Sequence, residues 1–337
     1  MKTLKSVHTQ RSRQIGRALM FVLAISTLNS ALYCQPGEQK IVKQVNAAKG
    51  WTSIVPMNLN NDGLTDFLSY NSTTGLAVYS VGTSTPGEQK IVKQVNAAKG
   101  WTSIVPMNLN NDGLTDLLSY NSTTGLAIYS VGTTTPGEQN IVKQVNAAKG
   151  WTSVVPMNLN HDGLTDLLSY NSTTGLAIYS VGTATPGEQE IVKQVNAAKG
   201  WTSIVPMNMN NDGLTDLLSY NSATGLAIYS VGTATPGEQE IVKQVNAAKG
   251  WTSVVPMNLD GDGLTDLLSY NSTTGLAIFS VGTATPGEQE VVRQVNAAKG
   301  WTLVVPMKLN KDGLTDLLSY NSATGLAIYS ESVRAGM

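Results

Sequence analysis

The chain has 337 residues, 41% hydrophobic and only 13% charged, with 22 basic and 23 acidic side chains. That balance, with no basic run or stripe, excludes a nucleic-acid surface of the usual electrostatic kind. One cysteine and two histidines, His8 and His161, leave no material for a disulfide framework or a His-dependent catalytic triad.

The first 34 residues differ in kind from the rest. Lys2, Lys5, Arg11, Arg13 and Arg17 precede an apolar core over residues 18–28, followed by small and polar residues. This is the layout of a secretory signal peptide, and the apolar run is too short to span a bilayer. Residues 1–34 are therefore read as a leader of a secreted, extracellular protein with no transmembrane span. Cys34 keeps an alternative open, a lipid anchor at the cell surface, although Tyr33 stands where a small residue is expected. Without the leader, 17 basic face 23 acidic side chains, a mildly acidic balance of −6.

Residues 35–337 read as one domain built from a tandem array. Pro-Gly-Glu-Gln recurs from Pro36 to Pro286 and Gly-Trp-Thr from Trp51 to Trp301, both at a gapless period of 50 residues. The units are 36–85, 86–135, 136–185, 186–235, 236–285 and 286–337. A fixed period of this length decides the architecture before any local reading does.

The first unit predicts four strands, at Ile41 to Val45, Thr52 to Leu59, Asp66 to Tyr70 and Leu76 to Val81. Val, Ile, Tyr and Thr dominate them, and Gly, Asn, Pro and Ser dominate the joints. No helical apolar period appears, so the chain is all-β. Four strands per unit match one propeller blade, whose two faces are both covered by neighbours. That accounts for Leu117-Leu118, apolar on both alternations. Pro56 and its equivalents place their strand on a sheet edge, the innermost one.

The ends predict closure. The array opens with a spare strand at Ile41 to Val45 and stops at Ser330 after three strands of the last unit. Pairing them completes a six-bladed propeller, with blade six formed by residues 301–330 and 39–45. An open β-solenoid is the competing architecture, but it needs polar capping units that this sequence lacks.

Between the first two strands of each blade lies Asn58-Leu59-Asn60-Asn61-Asp62-Gly63-Leu64-Thr65-Asp66 and its copies. Oxygen-bearing side chains at positions one, three, five and nine, with Gly at six, suit a loop wrapped around Ca²⁺. The candidate ligands are Asn58, Asn60, Asp62 and Asp66; Asn108, Asn110, Asp112 and Asp116; Asn158, Asn160, Asp162 and Asp166; Asn208, Asn210, Asp212 and Asp216; and Asn258, Asp260, Asp262 and Asp266. Only the fifth loop has three carboxylates, which ranks it tightest. Lys308 and Lys311 oppose Asp312 and Asp316 in the sixth, which is expected to stay empty. The alternative is a metal-free Asn/Asp-Gly turn.

Asn-Leu-Asn-Asn-Asp-Gly-Leu-Thr-Asp-Leu-Leu-Ser-Tyr-Asn, followed by Thr-Gly-Leu-Ala-Ile-Tyr-Ser, resembles the FG-GAP and VCBS-type repeats of integrin α-subunit propellers, bacterial surface proteins and some fungal lectins. The resemblance covers all six units and implies a calcium-binding propeller with glycan or cell-surface protein partners. The sequence departs from the family pattern at the first loop position, where Asn58 and its equivalents, or Lys308, replace the preferred Asp.

Trp51, Trp101, Trp151, Trp201, Trp251 and Trp301 are candidate sugar-stacking residues, with packing between blades as the competing role. Tyr70 and Tyr79 lie inside strands and read as core. The sequons at Asn71, Asn121, Asn171 and Asn271 matter only in a glycosylating host. One drift between repeats stands out, Lys40, Lys90, Asn140, Glu190, Glu240, Glu290, which on an outer strand would make one side of a ring basic and the other acidic; drift of a solvated surface is the reading preferred to a designed field. Near-identical units reproduce one modest surface several times, which suits multivalent binding better than catalysis. The expected function is therefore non-catalytic, lectin-like carbohydrate recognition, with a protein-binding adhesion module as first alternative. A glycoside-processing enzyme with a site in the central channel is the second.

Overall fold

The computed structural model describes residues 36–334, and the proposed leader and Cys34 lie outside them. Among the described residues there is no helix, and the chain forms six antiparallel four-stranded sheets. Blade one consists of Ser53–Met57, Asp66–Tyr70, Leu76–Gly82 and Gln89–Asn96, paired in that order. Blades two to five repeat it at 50-residue intervals, and the inner strands contact one another in sequence around the axis.

The inner strand carries Pro56, which can donate no ladder hydrogen bond. Its strand pairs on one side only, with Asp66–Tyr70, so the missing N–H leaves no gap in a sheet. This strand is shorter than the sequence predicts, because Asn58 leaves the ladder. Its main-chain N–H donates instead to Thr115 Oγ1 of the next blade at 2.7 Å, and its carbonyl accepts from Thr115 N.

The second strand is buried on both faces. Leu117 packs into the cluster between blades one and two, and Leu118 into that between blades two and three. The core is thus a series of clusters at blade boundaries, and each Trp sits in one. Trp51 packs with Val305, Met307 and Tyr320 of blade six and with Phe67 of blade one.

Blade six is assembled from both ends of the array. Gln39–Asn46 pairs antiparallel with Leu326–Ser332, next to Asp316–Tyr320 and Leu303–Met307. The spare strand therefore closes the ring as the sequence predicts, and the open solenoid is excluded. Tyr320 seals the seam. Its Oη donates to Ala48 O at 2.6 Å and accepts from Trp51 N at 3.3 Å, as Tyr70 does with Ala98 and Trp101 inside the array.

Candidate functional site

Two repeated features have the chemistry of a site: the acidic loops between inner and second strands, and the clefts between blades.

In the loops, the last Asp is architectural. Asp66 is fully buried, its Oδ2 accepts from Leu59 N at 2.6 Å and its Oδ1 from Gly82 N at 2.9 Å. It ties the loop to the end of the third strand, and the same pair of bonds recurs at Asp116, Asp166, Asp216 and Asp266. Burial pushes these carboxyls above their ordinary range, against the two N–H donors.

The remaining candidate ligands bond mostly within their own loop. Asn58 Oδ1 accepts from Asn61 N, Asn60 Oδ1 from Asp62 N, and Asp62 Oδ1 from Leu64 N. Asn60 Nδ2 also donates to Asp62 Oδ2 at 2.9 Å. These local bonds set Asn61 at φ 57° and His161 at φ 62°, in the left-handed region that Asn tolerates and where the fifth loop has Gly261. A self-sufficient turn results, so its outline alone is no measure of metal binding.

Asn58 does one thing more. Its Nδ2 donates to Gly113 O of the next loop at 2.7 Å, and Asn108, Asn158, Asn208 and Asn258 repeat the bond. An aspartate has no such donor. Asn rather than Asp at this first loop position thus has a structural use here, a link between neighbouring blades. The partner lies 55 residues away, which is why reading the loop locally misses it.

The donor sets separate the loops as candidates for a hard cation. In loops one to four, an amide hydrogen already satisfies the mid-loop Asp. In loop five Asp260 replaces that amide, and carboxylate oxygens of Asp260, Asp262 and Asp266 all lie within 4.8 Å of one another. Burial first, then the charges of Asp260 and Asp262, push Asp266 up to about 6. Three crowded carboxylates with no internal cation fit Ca²⁺, which takes oxygen ligands and offsets their repulsion. Loop six does not fit. Lys308 supplies neither the Oδ1 nor the Nδ2 of Asn58, and Arg334 Nη2 donates to Asp312 O at 2.7 Å, adding a third cation.

The clefts open where outer strands of adjacent blades diverge. The one between blades one and two has a volume of about 350 Å³, with Trp101, Tyr79 and Leu117 in its lining and Lys93, Gln139 and Ile141 contributed by the outer strands. Its counterpart between blades two and three, about 320 Å³, has Trp151, Tyr129, Gln189 and Ile191. A smaller one between blades five and six, about 190 Å³, has Trp301, Phe279, Arg293 and Gln39. Burial pushes the Tyr79 and Tyr129 phenols up to about 12, so both stay neutral at physiological pH.

All six tryptophans are 6–8% exposed, so packing between blades takes most of each indole. At the three clefts only a margin of the ring lines the cavity, and no open indole face is presented. These clefts leave no local signal in the sequence, because they combine residues from two units.

His161 stands exposed on loop three, its main-chain N–H donating to Asn158 Oδ1. The sequon asparagines cap turns, with Asn71 Oδ1 accepting from Thr73 N and Thr74 N. No helix among the described residues is long and apolar enough to cross a membrane.

No protein-family model matches the chain, and no curated protein matches it in sequence. Solved structures do match in fold. The chain is similar to BBS1N, solved in complex with ARL6DN and soaked with mercury, at a TM-score of 0.56 and 11% identity over 88% of this chain and 98% of that one. It is similar to an Agrocybe aegerita lectin that recognises non-reducing terminal N-acetylglucosamine, at 0.52 and 15% over 87% and 81%. It is also similar to the PQQ-bound aldose sugar dehydrogenase of Streptomyces coelicolor, at 0.51 and 9% over 88% and 99%. At these identities what is shared is the fold: the chain is a six-bladed β-propeller.

Proposed function

We propose that this chain is an exported, non-catalytic propeller of the FG-GAP/VCBS type that binds carbohydrate multivalently, with calcium stiffening its fifth loop. The observation that carries the reading is the recurrence of one cleft at three blade boundaries, each combining aromatic and aliphatic lining with Gln and Ser, two of them with a cationic side chain, Lys93 or Arg293. Sugars present C–H faces and hydroxyls together, and such mixed lining serves both. Each cleft is small, so each site is weak, and repetition on one rigid ring supplies avidity.

Sharing a fold with a lectin that recognises N-acetylglucosamine is compatible with this function and does not select the sugar. Calcium, when bound by Asp260, Asp262 and Asp266, supplies charge compensation and holds the loop; the clefts lie elsewhere on the blades. Glycan binding is therefore expected to survive chelation, with some loss of thermal stability.

A glycan array probed with and without chelator tests the proposal. Retention of a defined sugar class in both conditions supports it. Binding only to a protein partner points to an adhesion module, and turnover of a glycoside abolished by one Asp substitution points to an enzyme.

A further inference from the structure

The rim of the ring carries a feature that the acidic loops do not explain and that the clefts account for only where Ile141 and Ile191 line them. Each outer strand has one unpaired edge, and its early residues are exposed: Ile91 64% and Val92 37% on blade one, Ile241 63% and Val242 39% on blade four. A β-bulge produces this arrangement. Ile91 pairs with Ser80 and Lys93 with Tyr79, so Val92 has no ladder partner, and Val242 is placed alike. The bulge interrupts the edge as a template for sheet extension while leaving an apolar pair in solvent.

The residue before that pair varies around the ring: Lys90, Asn140, Glu190, Glu240 and Glu290 on blades one to five, and Lys40 on blade six. Lys40 lies across the ladder from Glu331, whereas Lys90 lies across from Val81, so the charge of blade six is offset and that of blade one is not. Lys93, Lys143, Lys193 and Lys243, further along their strands, each pair with a Glu of the next unit, and Lys99 and its equivalents recur in every turn. Lys43 with Glu88, and Arg293 with Glu38, add no net charge at the corresponding positions, so the asymmetry that remains before the apolar pair is Lys90 on blade one against Glu190, Glu240 and Glu290 centred on blade four. With blades in sequence order around a six-membered ring, these two are diametrically opposed.

We infer that the ring associates edge to edge with further copies of itself, the Lys90-Ile91-Val92 patch of one copy against the Glu240-Ile241-Val242 patch of the next. A second copy is the occupant because the two patches carry similar apolar pairs and opposite charges. A two-fold contact using either patch twice brings like charges together. The complementary contact is heterologous, and because its halves face opposite ways it does not close, giving open strings of rings. The contact is small and rimmed by exposed charge, so it is weak and salt-sensitive. This goes beyond carbohydrate binding and does not depend on it.

Sedimentation velocity of the purified chain, over a concentration series at about 20 mM and about 500 mM salt, reads the association directly. The expected result is a concentration-dependent, open-ended rise in mass at low salt, reduced roughly tenfold in association constant at high salt. Lys90→Glu removes the basic pole and abolishes the rise. A triple variant, Glu190→Lys, Glu240→Lys and Glu290→Lys, abolishes it likewise, and mixing the two variants restores association. All four substitutions are at exposed positions, so folding is retained and checked by unchanged thermal unfolding. A monomer at every concentration in low salt, a closed dimer, or unchanged association of Lys90→Glu overturns the inference.

Discussion

The carboxamide of Asn58 donates from Nδ2 to the carbonyl of Gly113, 2.7 Å away on the neighbouring blade. One side chain of a candidate calcium loop thus fastens that loop to the next. Five such links run around the ring, and Lys308 breaks the series at the boundary between blades six and one.

Replacing that donor trades a link between blades for a ligand charge. Asn108→Asp is expected to lower stability by about 1 kcal/mol without metal, since it loses the bond to Gly163 and sets a carboxylate against a carbonyl. The same variant gains a third carboxylate and is expected to recover stability in millimolar Ca²⁺. Chemical unfolding with and without calcium checks both halves.

Closure of the ring depends on Tyr320 in the same way that other boundaries depend on Tyr70 and its equivalents. Tyr320→Phe removes the bonds to Ala48 and Trp51 and is expected to cost about 1–3 kcal/mol in urea unfolding. Deleting residues 36–46 removes the closing strand and exposes the edge of Leu326–Ser332. That variant is expected to aggregate or pair with a second chain, visible by size-exclusion chromatography.

Stability without calcium is expected to depend on pH through Asp266 and Asp316. Burial is the main cause that raises both from an ordinary value of 3.8 to about 6. Between those values the folded chain binds more protons than the unfolded one, so these groups add stability below about pH 4 and lose that contribution as pH rises through 6. Asp260→Asn removes one source of repulsion on Asp266 and is expected to shrink the loss between pH 5 and pH 7. Melting temperatures of both proteins in chelator at those two pH values decide it; an equal loss contradicts the assignment.

Calcium is expected to act through loop five. Raising Ca²⁺ to about a hundred times its dissociation constant is expected to stabilise the chain by about 2.7 kcal/mol. Asp260→Asn with Asp262→Asn removes most of that response, whereas Asp312→Asn in loop six leaves it unchanged. Thermal unfolding across a calcium titration is the measurement.

Features set by local pattern and by the repeat were legible in the sequence. Pro56 marked the inner edge, Leu117 and Leu118 marked a strand covered on both faces, and the split last unit marked closure. What the pattern hid arises between units. The Asn58 link, the Tyr70 staple to Ala98 and the clefts each join residues from neighbouring blades. The Asp at position nine reads as a metal ligand by spacing, yet it first satisfies two main-chain N–H groups, a role that needs the third strand in place. The exposed Ile91 and Val92 were hidden for a related reason. Their strand has the composition of a buried one, and only the bulge and the absence of an outer neighbour put them in solvent.

The stoichiometry of binding decides whether repeated weak carbohydrate sites lie between the blades. Isothermal titration of the chain with a monovalent sugar chosen from the array is expected to give more than one site per chain. Paired substitutions at one cleft, Lys93→Ala with Ile141→Ser, are expected to remove one site and leave the affinity of the others unchanged. A single site per chain, or a stoichiometry that those substitutions leave untouched, contradicts the account.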